Sequence, residues 1–189
     1  MPRIDLCITI DRREQKPFTF TGASVYEGTV TEPATLNVGD YSLRDMGDLV
    51  ACERKSLDDL AGCLAADRER FERELLRSRA LEAFAVVVEA PWEALAKGQY
   101  RSRLNPLAAT QSIAAFVSRM RVPFWFCGSR PAAEFCCWSF LKQFAQGRLQ
   151  SLKDVERALG MRPPKASRHG ADRMPNSFPA KAASKLERS

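Results

Sequence analysis

The chain has 189 residues, of which 45% are hydrophobic and 28% charged, the balance of a globular domain with a sizeable core. No apolar run approaches the roughly 20 residues that a membrane span needs, and the opening Met1-Pro2-Arg3-Ile4-Asp5 lacks the apolar core of a secretory signal, so no membrane partner and a cytoplasmic location are expected. The net charge of +6 favours a polyanionic partner such as nucleic acid. The charge is uneven, because residues 151–189 hold nine Lys/Arg against four Asp/Glu and residues 1–150 are left with only +1.

Ile4 to Ile10 alternates and is rich in β-branched residues, which predicts a strand, followed by Asp11-Arg12-Arg13-Glu14. Further short strands are expected at Val25–Val30 and Tyr41–Leu43, and the apolar run Leu49–Cys52 leads a buried strand into Glu53. Ser56 reads as a helix N-cap with Asp59 three residues on. Leu57, Leu60, Ala61, Leu64, Phe71 and Leu75 then give one long helical stripe. Phe84–Glu89 is the strongest strand signal, a buried central one.

A short helix follows Pro91, and then the basic loop Tyr100-Arg101-Ser102-Arg103-Leu104. Asn105-Pro106 starts a helix expected to run to about Met120. Pro123–Cys127 is another strand, and Ser129 caps a helix expected to stop at Gly147. The domain proper is thus 1–150, with a short helix over 151–160 and a basic tail over 161–189 that lacks apolar periodicity.

Strands alternating with helices predict an α/β layered domain. The six cysteines form no C-x-x-C pair and the single histidine, His169, lies in the tail. Reduced core cysteines are therefore expected rather than a zinc site. Trp92, Trp125 and Trp138 are read as core residues.

Chemistry concentrates at Glu53-Arg54-Lys55. Period-two alternation puts Glu53 and Lys55 on one strand face and Arg54 on the other. A carboxylate that can hold Mg²⁺ beside an ammonium that can offset phosphate charge suits phosphodiester hydrolysis. Asp40, thirteen residues earlier, is the natural second carboxylate, since Mg²⁺ is bound through one or two of them. This D…E-x-K pattern has a plain structural alternative, an exposed turn aspartate and a surface Glu/Lys pair.

The longer pattern resembles the nuclease domain of the XPF-type structure-specific endonucleases, with Gly39-Asp40, then Glu53-Arg54-Lys55 and Asp59, preceded by Asp11-Arg12-Arg13-Glu14. Arg70-Phe71 with Glu74 is similar to the helix after the triplet, and Phe84–Glu89 to the next strand. The similarity spans roughly residues 4–145. It implies a restriction-endonuclease-like core, a central mixed sheet flanked by helices. It also implies a DNA endonuclease specific for branched, flapped or forked DNA, which attacks in line with metal-activated water.

On that resemblance Asp40 and Glu53 are metal ligands for Mg²⁺ (or Mn²⁺), with Asp11 a further ligand or a water-mediated one, and Lys55 assists the water or stabilises the phosphate. Arg54 supports from the other face as scaffold or phosphate clamp. Glu14 touches metal or pairs with an arginine, and Arg13 lies in the same supporting segment. Asp59 matches the acidic residue that the family places there, and capping of the helix is enough to account for it. Arg70 and Glu74 form a helix-surface pair or face the site, and Arg101-Ser102-Arg103 contacts phosphate or is a solvated loop.

About forty residues follow Gly147, too few for the paired helix-hairpin-helix modules of many relatives, so the chain looks like the small stand-alone bacterial or phage-borne members. A homodimer is left open. The alternatives are a non-catalytic DNA-binding or assembly subunit, and an RNA-directed nuclease.

Overall fold

The computed structural model describes residues 5–161. The chain divides into two compact units, Met1–Leu152 and Lys153–Ser189. In the first, strands β1 (Cys7–Asp11), β2 (Val30–Ala34), β3 (Tyr41–Leu43) and β4 (Val50–Lys55) precede helices α1 (Leu57–Leu64) and α2 (Arg68–Ser78). Strand β5 (Ala83–Val88), helices α3 (Trp92–Ala96) and α4 (Pro106–Ala115), strand β6 (Phe124–Phe126) and helix α5 (Arg130–Ala158) complete the order.

The six strands form one mixed sheet in the order β2-β1-β3-β4-β5-β6. The β1–β3 and β3–β4 pairs are antiparallel, and β1–β2, β4–β5 and β5–β6 are parallel. Pro33 sits in β2, an outermost strand, where its missing N–H is tolerated.

Strand alternation sends side chains into two cores. Ala51, Val86 and Val88 face one side with Leu60, Phe71, Leu75, Leu95, Ile113 and Phe116 from α1 to α4 and the turn after it. Val50, Cys52 and Val87 face the other with Phe18, Phe20, Tyr41, Cys137, Trp138 and Leu141. The sheet is thus covered on both faces, and the two faces of β4 and β5 see different neighbours.

Several sequence expectations need correction. The strand expected at Val25–Val30 begins only at Val30, because Ser24–Tyr26 wind into a 3₁₀ turn and Gly28 takes φ +84°. That turn seats Tyr26 edge-on to Phe20 and Trp138, at 6.1 and 5.6 Å between ring centres. The single long helix after Ser56 is two, since Ala65 leaves the helical region and the Ala65 and Asp67 N–H groups turn back to the Gly62 carbonyl. The break lets Phe71 meet Phe116 and Phe124 edge-on.

The helix expected to reach Met120 is α-helical only to Ala115 and finishes as a π turn over Phe116–Met120. Helix α5 runs through Gly147 to Ala158 and absorbs the separate helix expected over 151–160. One interior glycine costs about 1 kcal/mol against alanine, too little to stop a helix flanked by Gln146, Arg148 and Leu149.

Only Trp138 is a core tryptophan, at 5% exposure. Trp92 and Trp125 are 40% and 38% exposed and lie edge-on to Phe126 and Phe140. All six cysteines are free, but only Cys52, Cys63 and Cys137 are buried. The described part of the second unit is the last turns of α5, with Arg157 bridging Asp154 at 2.8 Å, and a reversal at Gly160. The basic tail, Met161 apart, lies outside the described residues.

Candidate active site

The candidate residues converge where β1, β3 and β4 are stitched together by main-chain bonds. The Asp40 N–H donates to the Cys52 carbonyl at 2.9 Å, and the Asp40 carbonyl accepts from the Asp11 N–H at 2.8 Å. Asp11, Asp40 and the start of Glu53-Arg54-Lys55 therefore stand in a row across three neighbouring strands. Gly39 makes this approach possible. Its φ is +79°, and a Cβ there would lie 2.9 Å from the Ala51 Cβ and 3.2 Å from the Cys52 carbonyl oxygen, which only glycine avoids.

Glu53 and Lys55 share the face of β4 that looks towards α1 and α2, as alternation predicts, and their side chains are paired. Glu53 is 3% exposed. The Lys55 ammonium also lies 5.5 Å from the centre of the Phe71 ring. Asp40 meets this pair, held by the Arg54 N–H, which donates to its Oδ2 at 2.8 Å.

These groups form the floor of a cleft of about 520 Å³ whose walls include Glu14, Lys16, Asp59, Arg70, Glu74 and Arg77. Burial lifts the Asp40 carboxyl to about 6, although the Arg54 N–H and Lys55 oppose the shift. Burial and the neighbouring Asp40 push Glu53 up as well. Lys55 loses solvation too, but Glu53 outweighs the loss and holds the ammonium protonated. The half-buried Asp40 and the buried Glu53 thus repel each other across one lysine, a charge excess that a hard cation with oxygen ligands would relieve.

Arg54 points to the opposite face. Its Nε and Nη2 donate to the two oxygens of Glu14 at 3.1 and 3.2 Å, and Nη1 lies 3.2 Å from Glu89. Arg130 continues the chain of charges, with Nη1 2.5 Å from Glu89. Of the two roles open to Glu14, the structure places it against an arginine.

Asp11 is buried, with both oxygens engaged. Oδ1 accepts from the Arg13 N–H and Nε, both at 2.8 Å, while Oδ2 accepts from Arg13 Nη2 at 2.9 Å and the Leu36 N–H at 2.7 Å. Burial pushes this carboxyl up, but the bonds from Arg13 and Leu36 outweigh it and hold it below the ordinary range. Among the described residues no three His, Cys, Asp or Glu side chains gather into a ready-made metal group, and the carboxylates beside Lys55 on the cleft floor are Asp40 and Glu53.

The remaining expectations separate cleanly. The Asp59 N–H donates to the Ser56 Oγ at 3.2 Å, and that hydroxyl donates to Asp59 Oδ2 at 2.6 Å. Asp59 thus serves the α1 cap from the cleft wall. Arg70 bonds Asp67 at 3.4 Å, while Arg70 and Glu74 both line the cleft. Arg101 is almost wholly exposed and reaches Asp58, at the start of α1, with its N–H and Nε, and the Ser102 Oγ accepts from the Leu104 N–H. Arg103, the third member of that loop, is exposed.

Sequence reasoning missed Lys16, Arg77, Glu89 and Arg130. Glu89 was findable, since alternation from Val87 puts it on the face of Arg54. Arg130 had no signal, because nothing in a helix start says which strand it meets.

A mixed sheet with helices on both faces, whose central strands carry paired carboxylates and a lysine, is a restriction-endonuclease-like core. Residues 10–137 match the ERCC4 domain, and the chain belongs to that family, the XPF-type nucleases. It is similar to the solved structure of XPF from Aeropyrum pernix, with a TM-score of 0.57 and 20% identity over 81% of this chain and 71% of that one. XPF from Aeropyrum pernix in complex with DNA is similar too, with a TM-score of 0.57 and 20% identity over 75% and 66% of the two chains. No curated protein matches the chain. Among the described residues no helix is long and apolar enough to cross a membrane.

Proposed function

We propose that the chain is a divalent-metal-dependent DNA endonuclease that cuts branched, flapped or forked DNA in the cytoplasm. The observation that carries this reading is the meeting of Asp40, Glu53 and Lys55 on the floor of one open cleft, with arginine and lysine on its walls. Asp40 and Glu53 are the residues that would hold Mg²⁺ or Mn²⁺, a number of carboxylates that suits Mg²⁺. When bound there, such an ion supplies Lewis acidity to the phosphoryl oxygen and lowers the pKa of its water.

The chain's own groups do the rest. The Lys55 ammonium, fixed by Glu53 and protonated, stands where negative charge grows on the phosphate and offsets it. Lys16, Arg70 and Arg77 on the cleft walls attract and orient the flanking phosphates. Asp11, saturated by Arg13 and Leu36, contributes by fixing the end of β1 against Asp40. The likeness to an Aeropyrum pernix XPF solved in complex with DNA supports DNA as the substrate, and the family supports the junction preference.

The test is a cleavage panel of flap, fork, nicked and linear substrates, in DNA and RNA versions, with Mg²⁺, Mn²⁺ or EDTA. Cleavage of DNA flaps or forks that needs the metal is the expected result. Salt-sensitive binding with no cleavage in any metal would replace this reading by that of a non-catalytic subunit. Light scattering on the same sample reports whether the active species is a homodimer.

A further inference from the structure

The wall of the cleft formed by Glu14, Gln15 and Lys16 belongs to a segment with no strand or helix of its own, yet every polar anchor it needs is present. The Arg130 Nη2 donates to the Lys16 and Pro17 carbonyls at 2.7 and 2.9 Å, and the guanidinium sits 5.0 Å from the centre of the Phe18 ring. One helical turn on, the Glu134 carboxylate accepts from the Phe20 N–H and from the Thr19 hydroxyl at 3.5 Å. The Phe18 N–H donates to the Tyr41 hydroxyl at 2.9 Å, and the two rings stack at 5.1 Å.

The same Arg130 reaches the chemistry by a second route. Its Nη1 is bonded to Glu89, which is bonded to Arg54, and Arg54 holds Glu14 with its side chain and Asp40 with its N–H. One guanidinium thus closes a loop that starts at the cleft wall and ends at a floor carboxylate.

We propose that Arg130, with Glu134, is a positioning residue of the active site: it clamps the Glu14–Phe20 segment to the first turn of α5 and, through Glu89, locks Arg54 and hence Asp40 in register. This role rests on the nuclease reading above. Arg130 touches no reacting atom. Its effect is on placement, and displacement of a reacting group by about 1 Å costs on the order of 100-fold in rate.

The experiment uses the full chain with Arg130→Ala, Arg130→Lys and Glu134→Gln, read by cleavage kinetics on a forked DNA and by amide hydrogen exchange. In Arg130→Ala, kcat should fall about 100-fold with KM within about twofold. Exchange should quicken at Phe18, Phe20 and Arg54 and stay unchanged at Leu75 in α2. Arg130→Lys, which keeps a cation for Glu89 but loses the fork to the two carbonyls, should recover part of kcat. Glu134→Gln should quicken exchange at Phe20 alone.

A folded Arg130→Ala protein with wild-type kcat overturns the proposal, as does a rise in KM alone, which would make Arg130 a DNA contact. Should the alanine variant fail to fold, the lysine variant is read by the same criteria. Exchange is measured on the protein without DNA. An inactive wild type therefore overturns the nuclease reading and the catalytic part of this role, while unchanged exchange at Phe18 and Phe20 overturns the clamp by itself.

Discussion

Strand β4 carries charge on both faces, and the two faces handle it in opposite ways. On the α5 side the Arg54 guanidinium is buried between Glu14 and Glu89, and Arg130 brings a second cation to Glu89. On the α1–α2 side, Asp40 and Glu53 share a single lysine, and burial with mutual repulsion pushes both acids up. The first arrangement is compensated within the chain. The second leaves two acids at the floor of an open cleft with less compensation from the chain, the feature on which the proposed metal site rests.

The difference is open to direct attack, beginning with the largest effect. Asp40→Asn keeps an oxygen for the Arg54 N–H but removes a charge. Cleavage should fall by about a thousandfold, while the thermal midpoint in metal-free buffer should rise. A lower midpoint would show that the carboxylate is structural after all. EDTA should mimic the loss of activity in the unsubstituted chain.

Arg54→Met does the reverse, because it strands Glu14 in a dry environment and leaves Glu89 with Arg130 alone. The expected cost is about 3–5 kcal/mol, measured as a shift in the denaturant midpoint at constant slope. A change below about 1 kcal/mol, within the range of exposed pairs, would mean that this face is better hydrated than its geometry suggests.

Gly39→Ala tests how tightly the two faces are joined. It forces a side chain into the left-handed region and against Ala51, at a cost of about 2 kcal/mol, and should cut cleavage as Asp40 is displaced. Equilibrium unfolding and cleavage assays on one preparation check both halves.

Acid titration probes Asp11, whose carboxyl is held below its ordinary range. Its ionised form therefore adds stability above the unfolded-state value of about 4, and this is lost as the pH falls through the folded-state value. The stability gap between wild type and Asp11→Asn should be flat near neutrality and shrink below about pH 4. A gap that widens on acidification would contradict the bonding at Asp11. Smallest of all, Ser56→Ala should cost about 1 kcal/mol through the lost cap of α1, seen in chemical denaturation.

Much of this contrast was legible in the residues. Alternation alone put Glu53 and Lys55 together and Arg54 opposite, because a strand side chain has only two directions to choose from. Phe84–Glu89 declared itself as a buried strand through an uninterrupted apolar run rich in valine. The capping residues Ser56 and Asn105 were legible because their bonds are local. The break at Ala65 was not, since Gly62 falls inside α1 rather than at its end and the residues that Phe71 meets, Phe116 and Phe124, lie some fifty residues away. The bonding of Asp11 was not legible either, because the sequence shows a carboxylate but not the four donors around it. Arg130 was invisible for the same reason on a larger scale.

The loop of charges that Arg130 closes also has a meaning in time. During synthesis the first residues emerge first and domains form as units. Asp11, Asp40 and Glu53 are all made within the first third of the chain, yet β4 lacks its partner β5 until Val88 is available, and Glu89 lacks its second cation until Arg130. A nascent polypeptide therefore holds every floor residue of the cleft before the residues that fix them in place have been made.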